Sequence, residues 1–520
     1  MASPEPLKPF SSAPVPPPSP PTGKRTRIAI VGGGSAGLGA LLGLLDLPES
    51  VKDGWDIALY ESRADVGGVW LPDPTPPPPP HLPASPLYPL LKTNTPVPTM
   101  TFPNLPFAPG TPLYPQHQHV ESYHQSVVKR QKLAPYIYFS SEITKASWNH
   151  RTEAWDLVVR STNSGESKKQ ETDHLIVANG HYHHPKSPKW KGVEGWEAEG
   201  NTGDRVVKHS LWYRGSEDLV GRVAVVVGFG ASGWDIARQA LEFADEVYHS
   251  FDPQTESTSP KLPPIHGTIV KPRISHFTPE SIHFVDGSTL SAAKVTIYLA
   301  TGYKLLAPFL TSDLIVTHHS APPPAKKLST NERYIRPLHL DLFSAGDADI
   351  PVNRLAFIGI SYFVAAAANA YAQGLYVGHA IAQKDFLPNH EDVLKEVEDR
   401  EKGVRKAGFD PFKIGHKFTA PGDAEAYQNH FISLIRQRSQ IALPPYLSNP
   451  KDDFVEKWRV DWRAKGLKLG STWLKAVEKG VAGQKRFTSE TGTEEDWVRA
   501  MEALEAWGEE EAVVDSSLSV

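Results

Sequence analysis

Short unbroken apolar runs, each stopped by glycine, alternate along this chain with stretches whose apolar residues recur every three or four positions. Ile28–Val31 is the first such run, and it ends at Gly32-Gly33-Gly34 before an apolar stretch that continues to Pro48. A run without alternation predicts a strand buried on both faces, and the spacing after it predicts a helix. Ile57–Tyr60 predicts the paired strand, with Glu61 at its end. The same order returns at Val223–Val227, three spaced glycines, a helix from Trp234 to Ala240 and a strand over Val247–Ser250. Asp173–Val177, Val295–Leu299 and Leu355–Ile360 read as further buried strands. Ile137–Ser140 and Trp148–Arg160 read as strands of a meander. Helices are expected over Gln116–Lys132 and from about Phe363 to Gln383. Beyond residue 385 the pattern is charged and helical, with Trp458, Trp462, Trp473 and Trp497 at intervals, and an acidic tail from Gly508 is expected to fray.

The glycines carry the first chemical signal. In Gly32, Gly33, Gly34, Ser35, Ala36 and Gly37 the spacing GxGxxG follows a strand and opens a helix. Gly32 suits the tight turn, Gly34 a backbone approach to a pyrophosphate, and Gly37 close helix–strand contact. Glu61 stands where an acid accepts from ribose hydroxyls. Gly228, Gly230 and Gly233 repeat the spacing, so two dinucleotides are expected. At the end of the second unit His249, Ser250 and Phe251 replace the acid. An acid there would repel a 2′-phosphate, so its absence permits NADP, although no arginine fills the place. The fold class expected is α/β, with two Rossmann-like dinucleotide-binding domains and a helical C-terminal extension. The boundaries expected are 26–190 and 311–385 for the first domain, 191–310 for the second, 386–507 for the extension and 508–520 for the tail.

Composition narrows the chemistry. The 520 residues exceed one core, and a net charge of −5 with scattered cations argues against nucleic acid. There is no cysteine, which excludes disulfides, thiolate metal sites and the cysteine relay of the disulfide reductases. No metal site is expected, because His117, His119, His181, His183 and His184 have neither nearby carboxylates nor helical pairing. Residues 1–25 read as a disordered proline-rich arm, and residues 71–89, with Pro76–Pro80, as a mobile surface loop. Ile358–Ala372 falls short of the ~20 apolar residues of a membrane span. A cytoplasmic protein of unspecified oligomeric state is expected.

Read in order, GGGSAG (Gly32–Gly37), GGVW (Gly67–Trp70), TNTP (Thr93–Pro96), NGHYHHP (Asn179–Pro185), His209-Ser210, GFGASGWDIA (Gly228–Ala237) and ATGY (Ala300–Tyr303) resemble a class B flavin-containing monooxygenase, particularly of the fungal, dimethylaniline-monooxygenase-like type. The resemblance implies FAD held by the first glycine loop with Glu61, Gly68, Val69 and Trp70. It places Thr93, Asn94 and Thr95 at the flavin–nicotinamide junction and implies NADPH at Gly228, Gly230, Ser232, Gly233, Trp234 and Asp235. Gln373 is a further candidate cofactor contact. It also implies hydride transfer from NADPH to FAD, reaction with O₂ to a C4a-hydroperoxyflavin, and oxygen delivery to a soft nitrogen or sulfur nucleophile, with Asn94 stabilising the reacting oxygen. The family's identifying motif is incomplete here: only His209 and Tyr213 keep their interval, and Tyr213-Arg214 replaces the Trp-Pro of Baeyer–Villiger enzymes. An oxidase or flavin reductase releasing H₂O₂, a Baeyer–Villiger enzyme, and a non-catalytic flavoprotein scaffold or nucleotide sensor are the alternatives.

Overall fold

The structure, a computed structural model, describes residues 25–201, 203–252, 264–318 and 327–517. The expected N-terminal arm lies outside the described residues apart from Arg25. Strands and helices are numbered below for the two parallel sheets and their helices. In the first sheet β1 (Thr26–Val31) lies between β2 (Trp55–Tyr60) and β4 (His174–Val177), parallel to both. The short β3 (Ile137–Tyr138) lies beyond β2 and β12 (Leu355–Phe357) beyond β4, and the hairpin of β10 (Leu338–His339) and β11 (Phe343–Ser344) closes the edge.

The unbroken apolar run of β1 is explained by what covers each face. Ile28 and Ile30 join a core with helices α1 (Ser35–Leu45) and α4 (Ala366–Ala382). Ala29 and Val31 face a second core, with Trp148, Trp155 and Leu157 of an antiparallel meander spanning 141–172. Neither face of Ile28–Val31 meets water, so no polar alternation is required there. Helices α1 and α4 approach closely enough that a Cβ on Gly43 would lie 2.3 Å from the Leu375 nitrogen, and one on Gly374 2.6 Å from the Ala40 Cα.

The second sheet repeats the plan. Strand β6 (Val223–Val227) lies between β7 (Glu246–Ser250) and β9 (Val295–Leu299), flanked by β8 (Ile269–Lys271) and β5 (Arg205–His209), all parallel. Val225 and Val227 pack with Trp196, Phe277 and Phe284, whereas Ala224 and Val226 pack on Ile236, Ala237 and Ala240 of α3 (Ala231–Ala240). A two-residue antiparallel ribbon, His184–Pro185 against Tyr303–Lys304, joins the two sheets.

The C-terminal extension forms α5 (His390–Lys406), α6 (Asp423–Arg438), α7 (Lys457–Ala464), α8 (Gly466–Glu478) and α9 (Glu494–Ser517). Its Phe431, Ile432, Trp473 and Trp497 share one core with α1 and α4. The frayed tail expected from Gly508 is replaced by helix as far as Ser517. Gly508 is not a terminator: a Cβ there would lie 2.5 Å from the Thr472 side chain, so the glycine admits α8, and Lys465 and Lys468 pair with Glu505 and Glu509 along the contact.

Candidate functional site at the two glycine turns

The two glycine turns have the same local geometry. Gly32 and Gly228 have φ of +108° and +107°, and a Cβ on each would lie 2.6 Å from the Ala178 carbonyl oxygen and 2.4 Å from that of Ala300, respectively. Ala178 and Ala300 directly follow β4 and β9, so each turn is pressed against the neighbouring strand end. The third glycines, Gly37 and Gly233, would place a Cβ 1.8 Å from the Gly32 oxygen and 2.0 Å from the Gly228 oxygen. Both separations are impossible, so glycine is required to seat each helix on its strand. Helices α1 and α3 start behind Gly34 and Gly230. Neither N-cap is bonded by a side chain, and neither first turn carries an acid. Their leading N–H groups are therefore disposed to receive an anion such as a diphosphate.

The residues around the first turn are brought together as the sequence suggests, with one difference in role. Glu61 is buried at the end of β2 and accepts from the Gly33 N–H (2.6 Å) and the Arg63 N–H (2.8 Å). Its carboxylate thus holds the turn itself. Gly67 and Gly68, adjacent glycines, let backbone pass close to another group. What they pass is the turn: a Cβ on Gly68 would lie 2.9 Å from the Gly34 Cα, and the Gly67 N–H donates to the Gly33 carbonyl at 3.0 Å. Val69 offers its carbonyl to the Ser85 hydroxyl, and Trp70 packs, half-buried, on the main core. Ala36 meets the turn after β12, where a Cβ on Gly359 would lie 2.7 Å from the Ala36 Cβ.

Thr93, Asn94 and Thr95 lie on the segment that pairs with residues 113–116, through the Thr93 N–H to the Pro115 carbonyl (3.0 Å) and the Val97 N–H to that of Leu113 (3.0 Å). Thr93 Oγ1 is buried without a partner, whereas the Asn94 side chain is exposed and makes no hydrogen bond to the described residues. Arg459 of α7 fixes the segment's far end by donating to the Pro98 carbonyl and to Thr101 Oγ1, while it also pairs with Glu494. At the second turn Ser232 and Trp234 are half-buried, and Trp234 Nε1 has no partner. The Asp235 carboxylate accepts from the Tyr88 hydroxyl and from Gln239 Nε2 (2.9 Å).

The sequence model of the family described as "Flavin-binding monooxygenase-like" matches residues 25–255, which span both turns. Over these residues the chain is similar to the flavin-binding monooxygenases. Among its relatives, the flavin-containing monooxygenase FMO GS-OX5 of Arabidopsis thaliana is 27% identical over 84% of this chain and 92% of the relative. Senecionine N-oxygenase of Tyria jacobaeae is 27% identical over 81% and 84%. The solved structure of S-allyl-L-cysteine S-oxygenase from Allium sativum shares the fold with a TM-score of 0.69, at 22% identity over 93% of this chain and 98% of that one. The cofactors are FAD and NADPH, and the chain is an NADPH-dependent FAD monooxygenase.

The donor set fits these cofactors: two uncapped helix starts for two diphosphates, and the orphaned Thr93 Oγ1 and Trp234 Nε1 at the places expected to meet them. Gln373 reaches the first turn only through Gly359. Its Oε1 accepts from the Gly359 N–H (3.1 Å) and its Nε2 donates to the Tyr427 hydroxyl (3.0 Å), so in this flavin monooxygenase it steadies a turn that abuts Ala36. His209, the surviving histidine of the incomplete motif, pins β5 to the end of β9. Its Nε2–H donates to the Gly302 carbonyl (3.0 Å) and its Nδ1 accepts from the Leu211 N–H (3.1 Å).

Two contacts carry no recognisable signal in the sequence. Ser35, in the first turn, bonds His124 Nε2 at 2.8 Å, and the His124 Nδ1–H donates to the Val120 carbonyl, so the ring accepts the serine proton. The serine contact comes from α2 (His117–Arg130) meeting α1, 89 residues away, and the Val120 contact within α2 fixes the ring for it. Burial pushes His124, His209, His174 and His181 down to about 4. These rings are neutral when folded and bind protons near pH 6.5 when unfolded, so acid favours the unfolded chain. Stability is therefore expected to fall as pH drops from 6.5 to about 4, whereas the folded protein keeps the His124–Ser35 bond, and with it FAD, until the pH nears about 4. Thermal unfolding and flavin fluorescence followed across that range check this; a midpoint constant from pH 7 to 4.5 would contradict it.

Proposed function

We propose that this chain oxygenates a nitrogen or sulfur centre of a small organic substrate, with FAD on the Gly32–Gly37 turn, NADPH on the Gly228–Gly233 turn, and Asn94 as the group that meets the reacting oxygen. The observation that carries the reading is the free, exposed amide of Asn94 on a segment whose backbone is fixed on both sides. An amide held in place by its backbone and unspent on the protein is available as a preorganised donor. When bound, FAD and NADPH supply the reducing and oxygen-activating chemistry. The chain orients them, shields them from water, and offers the Asn94 N–H groups. The two-sheet arrangement supports the domain division 26–190 with 311–385 around FAD and 191–310 around NADPH.

Sulfur or nitrogen as the target is supported by the named activities of the S-oxygenase and N-oxygenase relatives. It is supported also by the residues standing where Baeyer–Villiger enzymes carry Trp-Pro. Tyr213 is buried with its hydroxyl on Gln239 (2.9 Å) and Ser216 (2.8 Å), and Arg214 is committed to four backbone carbonyls. Neither is free to face a carbonyl substrate. The motif resemblance supports a fungal-type placement, and dependence on NADPH supports a cytoplasmic setting. The test is a panel of tertiary amines, thioethers, thiols and ketones, followed by NADPH consumption and by mass detection of a product with one added oxygen. Ketones converted faster than every amine and sulfur compound would overturn the assignment.

Preference for NADPH has a structural source that the local sequence hides. Strand β8 runs beside β7 with Lys271 opposite Ser250, and Arg273 lies with its Nε 3.4 Å from Asp252. The arginine lacking after β7 in sequence is thus supplied from two residues beyond β8, where its largely exposed guanidinium can receive a 2′-phosphate. Arg273→Ala is expected to raise the KM for NADPH by roughly tenfold while leaving that for NADH unchanged. Equal effects on both coenzymes, read in steady-state kinetics, would contradict this placement.

A further inference from the structure

The proline-rich stretch expected to be a mobile surface loop is instead bonded to both nucleotide units. At its start, Arg63 Nη1 donates to the Leu71 carbonyl (2.7 Å), and the Arg63 N–H rests on Glu61. In the middle, Arg214, from the connection after β5, donates through Nε to the Asp73 carbonyl (3.0 Å) and through Nη2 to the Ser85 carbonyl (2.9 Å). The same guanidinium holds its own backbone through the Leu211 and Tyr213 carbonyls at 3.0 and 2.7 Å. Trp212 Nε1 donates to the Pro77 carbonyl at 2.9 Å. The Ala84 N–H donates to the Asp73 carboxylate (2.7 Å), closing the proline segment on itself. At the far end Tyr88 is buried against Tyr213, ring centroids 5.0 Å apart, and its hydroxyl donates to Asp235 in the helix of the second turn. Six residues on is Asn94.

We propose that residues 71–91 are a strap that sets the separation of the two dinucleotide units, and that Arg214 and Tyr88 are its positioning residues. The inference rests on the assignment of FAD and NADPH to the first and second turns. The strap leaves the GGVW turn packed on Gly34, crosses to helix α3, and returns to the segment that bears Asn94. A shift at Arg214 or Tyr88 therefore moves the second turn relative to the first, and moves Asn94 with it. A guanidinium is required at 214 because four carbonyls in different directions take its donors, which an ammonium cannot reach together. The Asp73 and Ser85 carbonyls suit the opposite side: they lie in a proline-rich segment with few N–H groups to compete for them.

Hydride transfer depends steeply on the distance between donor and acceptor, and a misplacement of about 1 Å can cost about a hundredfold. The test is anaerobic stopped-flow reduction of the holoenzyme by saturating NADPH, using Arg214→Lys, Arg214→Gln and Tyr88→Phe, with flavin content and the visible spectrum measured on each. The limiting rate of flavin reduction is expected to fall between about tenfold and about a hundredfold for Arg214→Gln, and less for the other two, with flavin content retained and the half-saturating NADPH concentration within about twofold of wild type. A merely structural brace would lower flavin content or thermal stability and leave the limiting rate of the holoenzyme fraction unchanged. That result, seen in Tyr88→Phe, which keeps the ring packing and removes one hydroxyl, overturns the proposal even if Arg214→Gln fails to fold. A wild-type protein that binds FAD but is not reduced by NADPH overturns the cofactor assignment and this inference together, whereas variants reduced at the wild-type rate overturn this inference alone.

Discussion

Gly37→Ala is expected to yield a protein that does not retain FAD, while Gly233→Ala retains FAD and loses reduction by NADPH. The two substitutions add the same methyl group to equivalent places. The new Cβ would lie 1.8 Å from the Gly32 carbonyl oxygen in one case and 2.0 Å from that of Gly228 in the other, so each helix must leave its strand. Displacing a helix start removes the N–H groups on which a diphosphate rests, and a shift at such a contact is not absorbed by rotamer changes because both partners are backbone. Gly37→Ala should therefore be colourless after purification. Gly233→Ala should be yellow, reducible by dithionite, and slower with NADPH by at least about a hundredfold. Circular dichroism guards against general unfolding, and each variant serves as the other's control. Loss of flavin in both, or in neither, would contradict the division of the cofactors between the two turns.

Asn94→Ala is expected to consume NADPH at close to the wild-type rate while product formation falls by roughly a hundredfold, the difference appearing as H₂O₂. The prediction follows from where the residue sits. Its backbone is held by the pairing with residues 113–116 and by Arg459 beyond it, so truncating an exposed side chain should leave the fold intact. What disappears is a donor for the oxygen that is to be transferred. Asn94→Asp, isosteric but able only to accept when ionised, should uncouple as strongly. If both variants form product at the wild-type rate, Asn94 has no part in stabilising the reacting oxygen and serves the turn alone.

The two-unit plan was legible because it is written in backbone requirements. A strand buried on both faces forces an unbroken apolar run, and the turn after it forces glycine at Gly32 and Gly228, so pattern and chemistry point the same way. GGVW shows the limit of that reading. Glycines at Gly67 and Gly68 announce a close approach, but only the structure shows that the approaching group is Gly34. Gly508 misleads similarly, as its missing side chain makes room for Thr472 in a continuing helix.

The strap was illegible for a different reason. Proline-rich sequence signals the absence of helix and strand, and says nothing of its carbonyls, which are the groups that Arg214 and Trp212 bind. The family resemblance implies Asp235 as a cofactor contact, whereas its carboxylate is engaged by Tyr88 and Gln239, which lie 147 and 4 residues away. Arg273 and His124 are also long-range arrivals, and no local window contains both members of either contact.

With NADPH and O₂, the chain places one oxygen atom on a nitrogen or sulfur centre. Turnover under oxygen-18 gas with the best substrate of the panel, analysed by mass spectrometry alongside NADPH consumption and peroxide release, tests it most directly. One labelled oxygen per product molecule is expected, with NADPH consumed in step with product and little H₂O₂. NADPH oxidised with an equal amount of H₂O₂ and no labelled product from any amine, thiol or thioether would contradict it.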